Sequence, residues 1–178
     1  SYIITYEIPG IILRPFNNYG PRQHLEKVIP RFIVRALKNE PLIIHGTGKN
    51  TRDWIFVTDC CGAIDAIINA PRAKVMGQIF NIGTGEEVEI EKIAKFVKEF
   101  TGSSSAIQHV PDRPGQVKRH ISNTQKIQNI TNWQPRFSFE EGIKKTIEWY
   151  KKHPEWWKDM DWMLNLPYKT WNGHEFWF

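Results

Sequence analysis

Residues 11–21 read Ile-Ile-Leu-Arg-Pro-Phe-Asn-Asn-Tyr-Gly-Pro, and this stretch decides the fold class. The uninterrupted apolar run at residues 11–13 predicts a buried strand of a parallel sheet, because strands covered on both faces are continuously hydrophobic. The polar residues that follow, 17–21, are typical of a turn. Ligands of α/β sheets bind at the carboxyl ends of strands, so Asn17 and Asn18 are either sugar- or ribose-binding amides or simply turn residues.

Outward from this stretch, strand patterns alternate with helix patterns. Residues 2–7 look like the end of a helix, which suggests that a segment precedes them. Apolar runs predict further strands at residues 42–44, 54–57, 79–82 and 107–110. Amphipathic spacing predicts helices at residues 28–37, 63–68 (capped by Thr58 or Asp59), 90–100 and from Ser138 to near Pro154. This alternation places the chain in the α/β class.

The composition limits the class of function. Of 178 residues, 40% are hydrophobic and 13% aromatic, which predicts about one folded domain and excludes a disordered chain. No apolar run reaches the ~18 residues of a membrane span, and the first residues lack the order of a signal peptide. The only two cysteines, Cys60 and Cys61, are neighbours and cannot cross-link distant parts of the fold, which fits a reducing, cytoplasmic setting.

The net charge of +5 suits an anionic partner. Lysines and arginines are interspersed with acids instead of forming a basic stripe, so nucleic acid is not indicated. A compact anion such as a nucleoside diphosphate needs only two or three well-placed arginines. Arg52, within Arg52-Asp53-Trp54, and Arg113, in the loop at residues 112–115, fit that need. For each of them, a surface Arg–Asp ion pair is the alternative interpretation.

Other motifs indicate structure more than chemistry. Residues 46–49, Gly-Thr-Gly-Lys, lack the spacing of a Walker loop and predict a hairpin turn. Residues 83–85, Gly-Thr-Gly, lack the third glycine of a dinucleotide fingerprint and predict a turn. The six histidines show no metal-ligand spacing, and no nucleophile elbow is present. The aromatic cluster at residues 149–162 favours packing over base stacking.

Five ordered blocks of the sequence carry a family resemblance. They are residues 14–21 (Arg-Pro-Phe-Asn-Asn-Tyr-Gly-Pro), 46–59 (Gly-x-Gly-x-x-x-Arg-Asp-Trp-x-x-Val-x-Asp), 80–83 (Phe-Asn-Ile-Gly), 112–115 (Asp-Arg-Pro-Gly) and 133–143 (Trp-x-Pro, then Phe-Glu-Glu-Gly-Ile). Together they resemble the extended short-chain dehydrogenase/reductases, the NAD-dependent epimerases and dehydratases of nucleotide sugars. The dTDP-glucose 4,6-dehydratases look most similar, with UDP-glucose 4-epimerases and UDP-glucuronate decarboxylases as near neighbours.

The resemblance also implies what this chain lacks. Members of the family begin with a glycine-rich NAD-binding unit and use a Tyr-x-x-x-Lys pair for hydride transfer, and neither occurs in this sequence. We therefore expect the C-terminal half of a Rossmann-like fold. Residues 1–178 would form a single substrate-binding lobe with the last strands of the nucleotide-binding sheet, ending in an aromatic tail at residues 155–178. We expect no catalytic residue and no metal in this chain, and no tight NAD binding by this chain alone.

The resemblance implies a set of residues around a dTDP- or UDP-sugar. They are Asn17, Lys27, Val28, Ile43, Ile44, His45, Arg52, Asn81, Asp112, Arg113, Pro114, Gly115 and Gln116, with Asn18 near the nicotinamide end of NAD. Arg52 and Arg113 are expected to clamp the diphosphate, and Asn17 to contact the diphosphate or the sugar. Lys27 and Val28 are expected to approach the phosphates and the nucleotide.

The base and the ribose are assigned in the same way. Residues 43–45 are expected to line the base pocket, where many family members carry an aromatic residue in place of His45. Asn81 and Asp112 are expected to hold the ribose or the loop that residues 114–116 complete.

Three hypotheses of function follow. The first is the sugar-nucleotide-binding half of an NAD-dependent dehydratase or epimerase. The second is a binding-only module without enzymatic activity, and the third, favoured by charge alone, is a nucleic-acid-binding domain. Under the first, the strands at residues 11–13 and 79–81 would leave an unpaired edge and an uncovered apolar face. We therefore expect association with a missing N-terminal half or with a second copy, and no membrane contact.

Overall fold

The computed structural model describes residues 1–165, 167–169 and 175–177. Its helices are α1 (Tyr2–Thr5), α2 (Val28–Leu37), α3 (Val57–Ile68), α4 (Arg72–Val75), α5 (Ile90–Thr101), α6 (Gln125–Thr131), α7 (Phe139–Lys152) and α8 (Pro154–Trp157), followed by a 3₁₀ helix at Lys158–Asn165. Its strands are β1 (Ile12–Pro15), β2 (Asn17–Tyr19), β3 (Leu42–His45), β4 (Thr51–Arg52), β5 (Trp54–Phe56), β6 (Ile79–Ile82), β7 (Val88–Glu89), β8 (Ile107–Val110), β9 (Arg119–His120), β10 (Pro167–Lys169) and β11 (Glu175–Trp177). Four parallel strand pairs among these elements confirm the α/β class.

The chain forms two compact units, each assembled from three separate segments. The first unit comprises Ser1–Tyr19, Asn50–Glu89 and Val117–Phe139. The second unit comprises Gly20–Lys49, Ile90–Gln116 and Glu140–Phe178. Since neither unit is continuous in sequence, each depends on long-range contacts between its segments.

Two parallel strand pairs form the framework of the first unit. In one pair β1 lies beside β6, and in the other β2 lies beside β5. Apolar side chains of these strands, of α3 and of α6 form a buried core: Ile55, Ala63, Ile67, Phe80, Ile82, Ile127 and Trp133. Fully burying an aliphatic or aromatic side chain stabilises a fold by ~1.5–3 kcal/mol, so these residues dominate the stability of the unit.

The second unit is built around the parallel pair of β3 and β8, with Leu42 opposite Ile107. Helices α2 and α5 pack on each other and on β3. Each helix ends where the sequence predicts. Asn39 (φ +55°) follows α2 and Gly102 (φ +70°) follows α5, and both residue types adopt left-handed backbone readily. The Asn39 side-chain oxygen then accepts hydrogen bonds from the hydroxyls of Ser103 and Ser104, both at 3.1 Å.

The turn predicted at residues 17–21 is wrong for its first three residues, which form β2. The Asn17 backbone amide donates to the carbonyl oxygen of Asp53 at 3.2 Å, and β2 continues in parallel register along β5. Pairing with a distant strand outweighs the local turn preference of two asparagines, because strand formation depends strongly on tertiary context.

Helix α3 begins at Val57, so neither Thr58 nor Asp59 is its N-cap as predicted. The side chain of Asp59 is instead buried, and its Oδ2 accepts hydrogen bonds from the backbone amides of Arg136 and Phe137, both at 3.0 Å. This carboxylate therefore ties the segment between α6 and α7 to the first turn of α3. The contact spans more than 70 residues, which is why no local sequence pattern reveals it.

The aromatic tail at residues 155–178, for which the sequence gives no helix or strand pattern, forms regular elements over the residues that the structure describes. Helix α8 and the 3₁₀ helix follow α7, and β10 and β11 pair in antiparallel register. Trp157 is buried and donates its indole Nε1 proton to the carbonyl oxygen of Tyr150 at 3.0 Å. The remaining positions of the predicted tail, 166, 170–174 and 178, lie outside the described residues.

The prediction of a buried strand at residues 11–13 is wrong, because β1 is largely exposed. Ile12 is 43% exposed, and Ile79, its register partner on β6, is 38% exposed. Among the described strands, β1 and β6 pair only with each other, so each keeps one unpaired side. Phe80, which points to the opposite face from Ile79, is fully buried. One face of this pair is therefore core, and the other exposes Ile12 and Ile79 beside the polar Arg14 and Asn81.

We expect Asp59→Ala to lower the free energy of unfolding by about 2–4 kcal/mol, because it leaves two backbone amides without their acceptor at ~1–3 kcal/mol each. Asp65→Ala is the matched control. Asp65 is exposed on the same helix, and among the described residues its carboxylate accepts a hydrogen bond only from Asn69, so the change should be less than ~0.5 kcal/mol. Urea denaturation measures both variants, and equal losses would contradict the role given to Asp59.

Candidate functional site

A buried carboxylate organises the polar part of the first unit. Asp53 lies between β4 and β5 and is fully buried. Its Oδ1 accepts from the backbone amide and the hydroxyl of Thr84, at 2.9 and 2.8 Å. Its Oδ2 accepts from the backbone amides of Gly85 at 2.9 Å and Ser122 at 3.1 Å, and from the Ser122 hydroxyl. Five donors to one carboxylate replace the water that burial removes.

The turn predicted at residues 83–85 is present, and it supplies two of these backbone donors. Gly83 allows the close approach. A Cβ atom there would lie 2.4 Å from the Ser122 hydroxyl oxygen and 2.6 Å from Asp53 Oδ2. The glycine-rich turn is therefore a cradle for a protein carboxylate.

Arg52 directly precedes Asp53 in the sequence, but its guanidinium contacts the backbone and not the Asp53 carboxylate. Among the described residues the two form no ion pair, so the surface ion-pair interpretation is wrong for this arginine. Its Nη1 donates to the carbonyl oxygen of Thr51 at 2.7 Å, and partial burial lowers the pKa of the guanidinium. Arg52 is thus a half-buried cation held by backbone, the arrangement expected of an anion-binding group.

The three asparagines expected at the site, Asn17, Asn18 and Asn81, lie on the β2–β5 and β1–β6 strand pairs. Asn17 donates its Nδ2 proton to the carbonyl oxygen of Asp53 at 3.0 Å, so Asp53 positions it directly. Asn18 donates to the carbonyl oxygen of Phe16 at 3.1 Å. Asn81, on β6, donates to the carbonyl oxygen of Asn123 at 3.4 Å. The structure therefore brings Asn17 and Arg52 together around Asp53, while Asn81 lies on the neighbouring strand pair.

Sequence reasoning missed one aromatic pair beside these asparagines. The rings of Phe16 and His120 stack with centroids 4.6 Å apart and planes inclined by 24°. His120 is also the register partner of Arg52 on β9. The sequence feature that could have revealed this pair is Phe16 itself, an aromatic residue directly before the two polar residues Asn17 and Asn18.

The remaining expected residues lie in the second unit, where β3 and β8 end side by side. His45 is the register partner of Val110, and each is followed by a loop. The predicted turn at residues 46–49 is present but joins no hairpin, because β3 pairs with β8 while β4 pairs with β7 and β9. The Asp112 carboxylate packs on Gly46 (φ +68°), where a Cβ atom would lie 2.8 Å from Asp112 Cγ.

The loop at residues 111–116 holds Arg113 in place. The Arg113 backbone amide donates to Asp112 Oδ1 at 2.8 Å, and its Nη2 donates to Gln116 Oε1 at 3.5 Å. Pro114 and Gly115 are exposed in the same loop. The first contact orders the loop backbone and the second is made by the guanidinium itself, so Arg113 lies in an ordered loop at the carboxyl ends of two parallel strands, the position where α/β folds bind ligands.

The other expected residues differ in exposure. Ile44 is buried and Ile43 is half-buried, so of these two β3 side chains only Ile43 reaches the surface. Lys27 precedes the first residue of α2, Val28, and its exposed Nζ pairs with the Glu26 carboxylate at 2.7 Å.

Positive charge is concentrated in the second unit. Burial lowers the pKa of His45, and the charges of Arg113 and Arg31 lower it further, while the Pro111 backbone and the Asp112 carboxylate act in the opposite direction. Arg31, which sequence reasoning missed, is 8% exposed. Burial, with Arg35 and Arg113 nearby, lowers its pKa to about 10. The available signal was two like charges, Arg31 and Arg35, spaced i,i+4 on one helix.

Three other kinds of site leave no trace in the part of the chain that the structure describes. None of its helices has the length and apolar composition needed to cross a membrane. No three or more histidine, cysteine, aspartate or glutamate side chains converge as a metal site. Cys60 is buried, Cys61 is exposed, and both thiols are free.

The chain matches known proteins over most of its length. The family model described as GDP-mannose 4,6 dehydratase matches residues 1–146. The low-salt glycan biosynthesis protein Agl12 of Haloferax volcanii is 39% identical over 151 residues, which cover 84% of this chain and 47% of that protein. The chain thus spans about half the length of the curated relative.

Two solved structures show the same fold. The dTDP-glucose 4,6-dehydratase of Bacillus anthracis, in complex with NAD, gives a TM-score of 0.82 at 37% identity, covering 89% of this chain and 50% of that one. The UDP-glucose 4-epimerase of Thermotoga maritima, with UDP-glucose, gives 0.80 at 31% identity, covering 86% and 49%. These likenesses confirm the expected resemblance and fold class.

Substitution of glycine by alanine should change the free energy of unfolding in opposite directions at Gly83 and at Gly62. Gly83→Ala should lower the free energy of unfolding by about 1–3 kcal/mol, because the added methyl group overpacks against Asp53 and Ser122. Gly62→Ala should instead raise it by about 0.5–1 kcal/mol, since Gly62 lies within α3 and its Cβ would meet only Trp133 Nε1 at 3.6 Å. Thermal or urea unfolding separates the two. A neutral Gly83→Ala would show that the cradle is loose.

Proposed function

This chain belongs to the GDP-mannose 4,6-dehydratase family, whose model matches residues 1–146, and we propose that it is the sugar-nucleotide-binding half of an NAD-dependent nucleotide-sugar 4,6-dehydratase or epimerase. The observation that carries this proposal is Arg113, held by Asp112 and Gln116 where β3 and β8 end. A fixed guanidinium at that place suits bidentate capture of a phosphate.

The substrate in this proposal is a nucleoside diphosphate sugar, with dTDP or UDP as the nucleotide. Arg113 and Arg52 bind the diphosphate, and Lys27 and Val28 contribute at the start of α2. Asn17 binds the sugar or the diphosphate, and its tie to the Asp53 carbonyl supports this role because it fixes the carboxamide before a ligand arrives.

The nucleoside is held by the remaining residues. Ile43 and His45 form the side of the base pocket, with the buried Ile44 supporting it from the core, and Asn81 and Asp112 hold the ribose or the loop that Gln116 completes. The lowered pKa of His45 supports a neutral imidazole at pH 7, which can stack on a base or accept a hydrogen bond.

Within this proposal, the described residues offer a binding group for the nicotinamide end of NAD and for no other part of the cofactor. Asn18 offers a carboxamide of the kind that binds a nicotinamide amide, but the sequence holds no glycine-rich loop for the cofactor's phosphates. Hydride exchange with the sugar is the chemistry that NAD supplies when bound. We therefore infer that this chain positions the sugar nucleotide and that tight NAD binding needs further segments of the family fold.

A binding-only module is the second candidate, and the tyrosines support it. No tyrosine of the sequence is followed by lysine four residues later. Tyr19 and Tyr150 are buried, their hydroxyls donate to the carbonyl oxygens of Phe139 and Gln23, and burial raises the pKa of both phenols. Neither is available as the acid–base group of a sugar dehydrogenation. Turnover by this chain mixed with NAD and a sugar nucleotide would overturn this candidate.

We expect Arg113→Ala and Arg52→Ala each to weaken binding of UDP-glucose or dTDP-glucose about tenfold or more, because each removes charge-assisted hydrogen bonds to the diphosphate. Isothermal titration calorimetry with UDP, dTDP and their glucose conjugates measures the loss and identifies the preferred base. Lys95→Ala is the charge-matched control, since Lys95 is exposed and pairs with Glu91 on α5. Binding that none of the three changes, or no binding by the wild type, would contradict the proposed function.

We also propose that the β1–β6 pair is where the chain associates, with the family's N-terminal half or with a second copy. Two exposed isoleucines, Ile12 and Ile79, and strand edges without a partner among the described strands support this proposal. The half-length coverage of the relatives supports it as well.

Sedimentation velocity tests this association. The sedimentation coefficient of the wild type should rise with protein concentration, and Ile12→Lys should suppress the rise because it places a charge on the open face. Ile68→Lys is the control, since Ile68 is 71% exposed at the end of α3 and away from this strand pair. A wild type that sediments identically at all concentrations would count against self-association.

A further inference from the structure

Arg31 is an unusual residue in the second unit because its charged group is buried without an acidic partner. The side chain is 8% exposed in the first turn of α2. One guanidinium nitrogen, Nη2, donates to the carbonyl oxygen of Glu26 at 2.7 Å. The Nε atom is buried and finds no hydrogen-bond partner in the part of the chain that the structure describes. Among the described residues no carboxylate lies within 4.0 Å of this guanidinium, the distance that defines an ion pair.

The charges around Arg31 add to the imbalance. Two further cations, Arg35 and Arg113, lie close enough to lower the pKa of Arg31. His45, which can also become positive, lies close enough for the charge of Arg31 to lower its pKa. Glu26 is the acidic side chain that acts on Arg31, but its carboxylate is partly exposed and pairs with Lys27 at 2.7 Å. The uncapped start of α2 adds the positive end of a helix dipole.

Neighbouring Arg35, on the same helix, also has a buried Nε, but its guanidinium has the acidic partner that Arg31 lacks among the described residues. Its Nη1 lies 3.6 Å from the Glu40 carboxylate, and its Nη2 donates to the carbonyl oxygen of Leu164 at 3.2 Å. Arg31 has neither a carboxylate nor a second carbonyl. A buried, uncompensated cation is costly, and an anion that joins the cluster removes that cost.

We propose that Arg31 is a second guanidinium of the anion site in the second unit and shares the ligand's diphosphate with Arg113. This inference rests on the proposed function, and it adds a residue that the family resemblance did not supply. Arg31 contributes to binding and at the same time destabilises the ligand-free chain. These two effects have opposite signs, which distinguishes a ligand-binding residue from a structural one.

The test uses the full chain and inorganic pyrophosphate as the probe. Arg31→Met keeps the length and the apolar stem of the side chain but removes the charge. It should weaken pyrophosphate binding about tenfold or more, measured by calorimetry at constant ionic strength set with sodium chloride. In urea denaturation without ligand, the midpoint of Arg31→Met should equal or exceed that of the wild type.

Two control variants make the result specific. Arg31→Lys keeps the charge without the planar fork and should recover part of the affinity. Arg35→Met, one helical turn away, should lower the urea midpoint because Arg35 has structural partners, and it should weaken pyrophosphate binding less than Arg31→Met.

The outcomes separate this inference from the proposed function. Wild-type binding that Arg31→Met leaves unchanged, or a lower urea midpoint with unchanged affinity, overturns the role of Arg31 even if UDP-glucose or dTDP-glucose binds. A wild type that binds no pyrophosphate overturns the anion site itself. Pyrophosphate binding that depends on Arg31, in a chain that binds no sugar nucleotide, supports the inference and contradicts the proposed function.

Discussion

The first unit depends on one constraint: the carboxylate of Asp53 is fully buried, and every donor it needs comes from the chain itself. Thr84, Gly85 and Ser122 supply those donors from two segments more than 30 residues away. The backbone of Asp53 meanwhile accepts from Asn17, which aligns β2 with β5. Loss of a donor would weaken the compensation of a charge in a low-dielectric interior, so the polar loops are held firmly around Asp53, and its backbone carbonyl links them to β2.

The two adjacent residues Arg52 and Asp53 divide structure from recognition. Asp53 satisfies backbone and hydroxyl donors, while Arg52 keeps a half-buried positive charge. In the second unit the same division separates Asp112, which packs on Gly46 and orders its loop, from Arg113, which the loop presents. In both units an acidic residue shapes the backbone, and the arginine beside it in sequence is the residue that we propose for diphosphate binding.

The sequence could predict the elements whose signal is local and periodic. Helices α2 and α5 and strands β3, β6 and β8 follow directly from apolar spacing and from Asn39 and Gly102 at helix ends. What it could not predict depends on partners distant in the chain. The asparagines of β2 form a strand because β5 lies beside them, and Asp59 holds residues 136–137 in place of capping its own helix. At the site, Arg113 was recognisable from its loop, whereas the burial of Arg31 emerges only when α2, β3 and β8 are assembled.

The cradle around Asp53 also restricts how the protein can evolve. A larger side chain at Gly83 would collide with Ser122 and with Asp53, so a tolerated change at one of these three positions requires a change at another. Random drift at this cluster must therefore proceed through coupled substitutions, in which a first mutation is harmful until a second compensates it. Among the described residues Arg52 forms no hydrogen bond with Gly83 or Ser122, so a substitution there does not require a compensating change in the cradle.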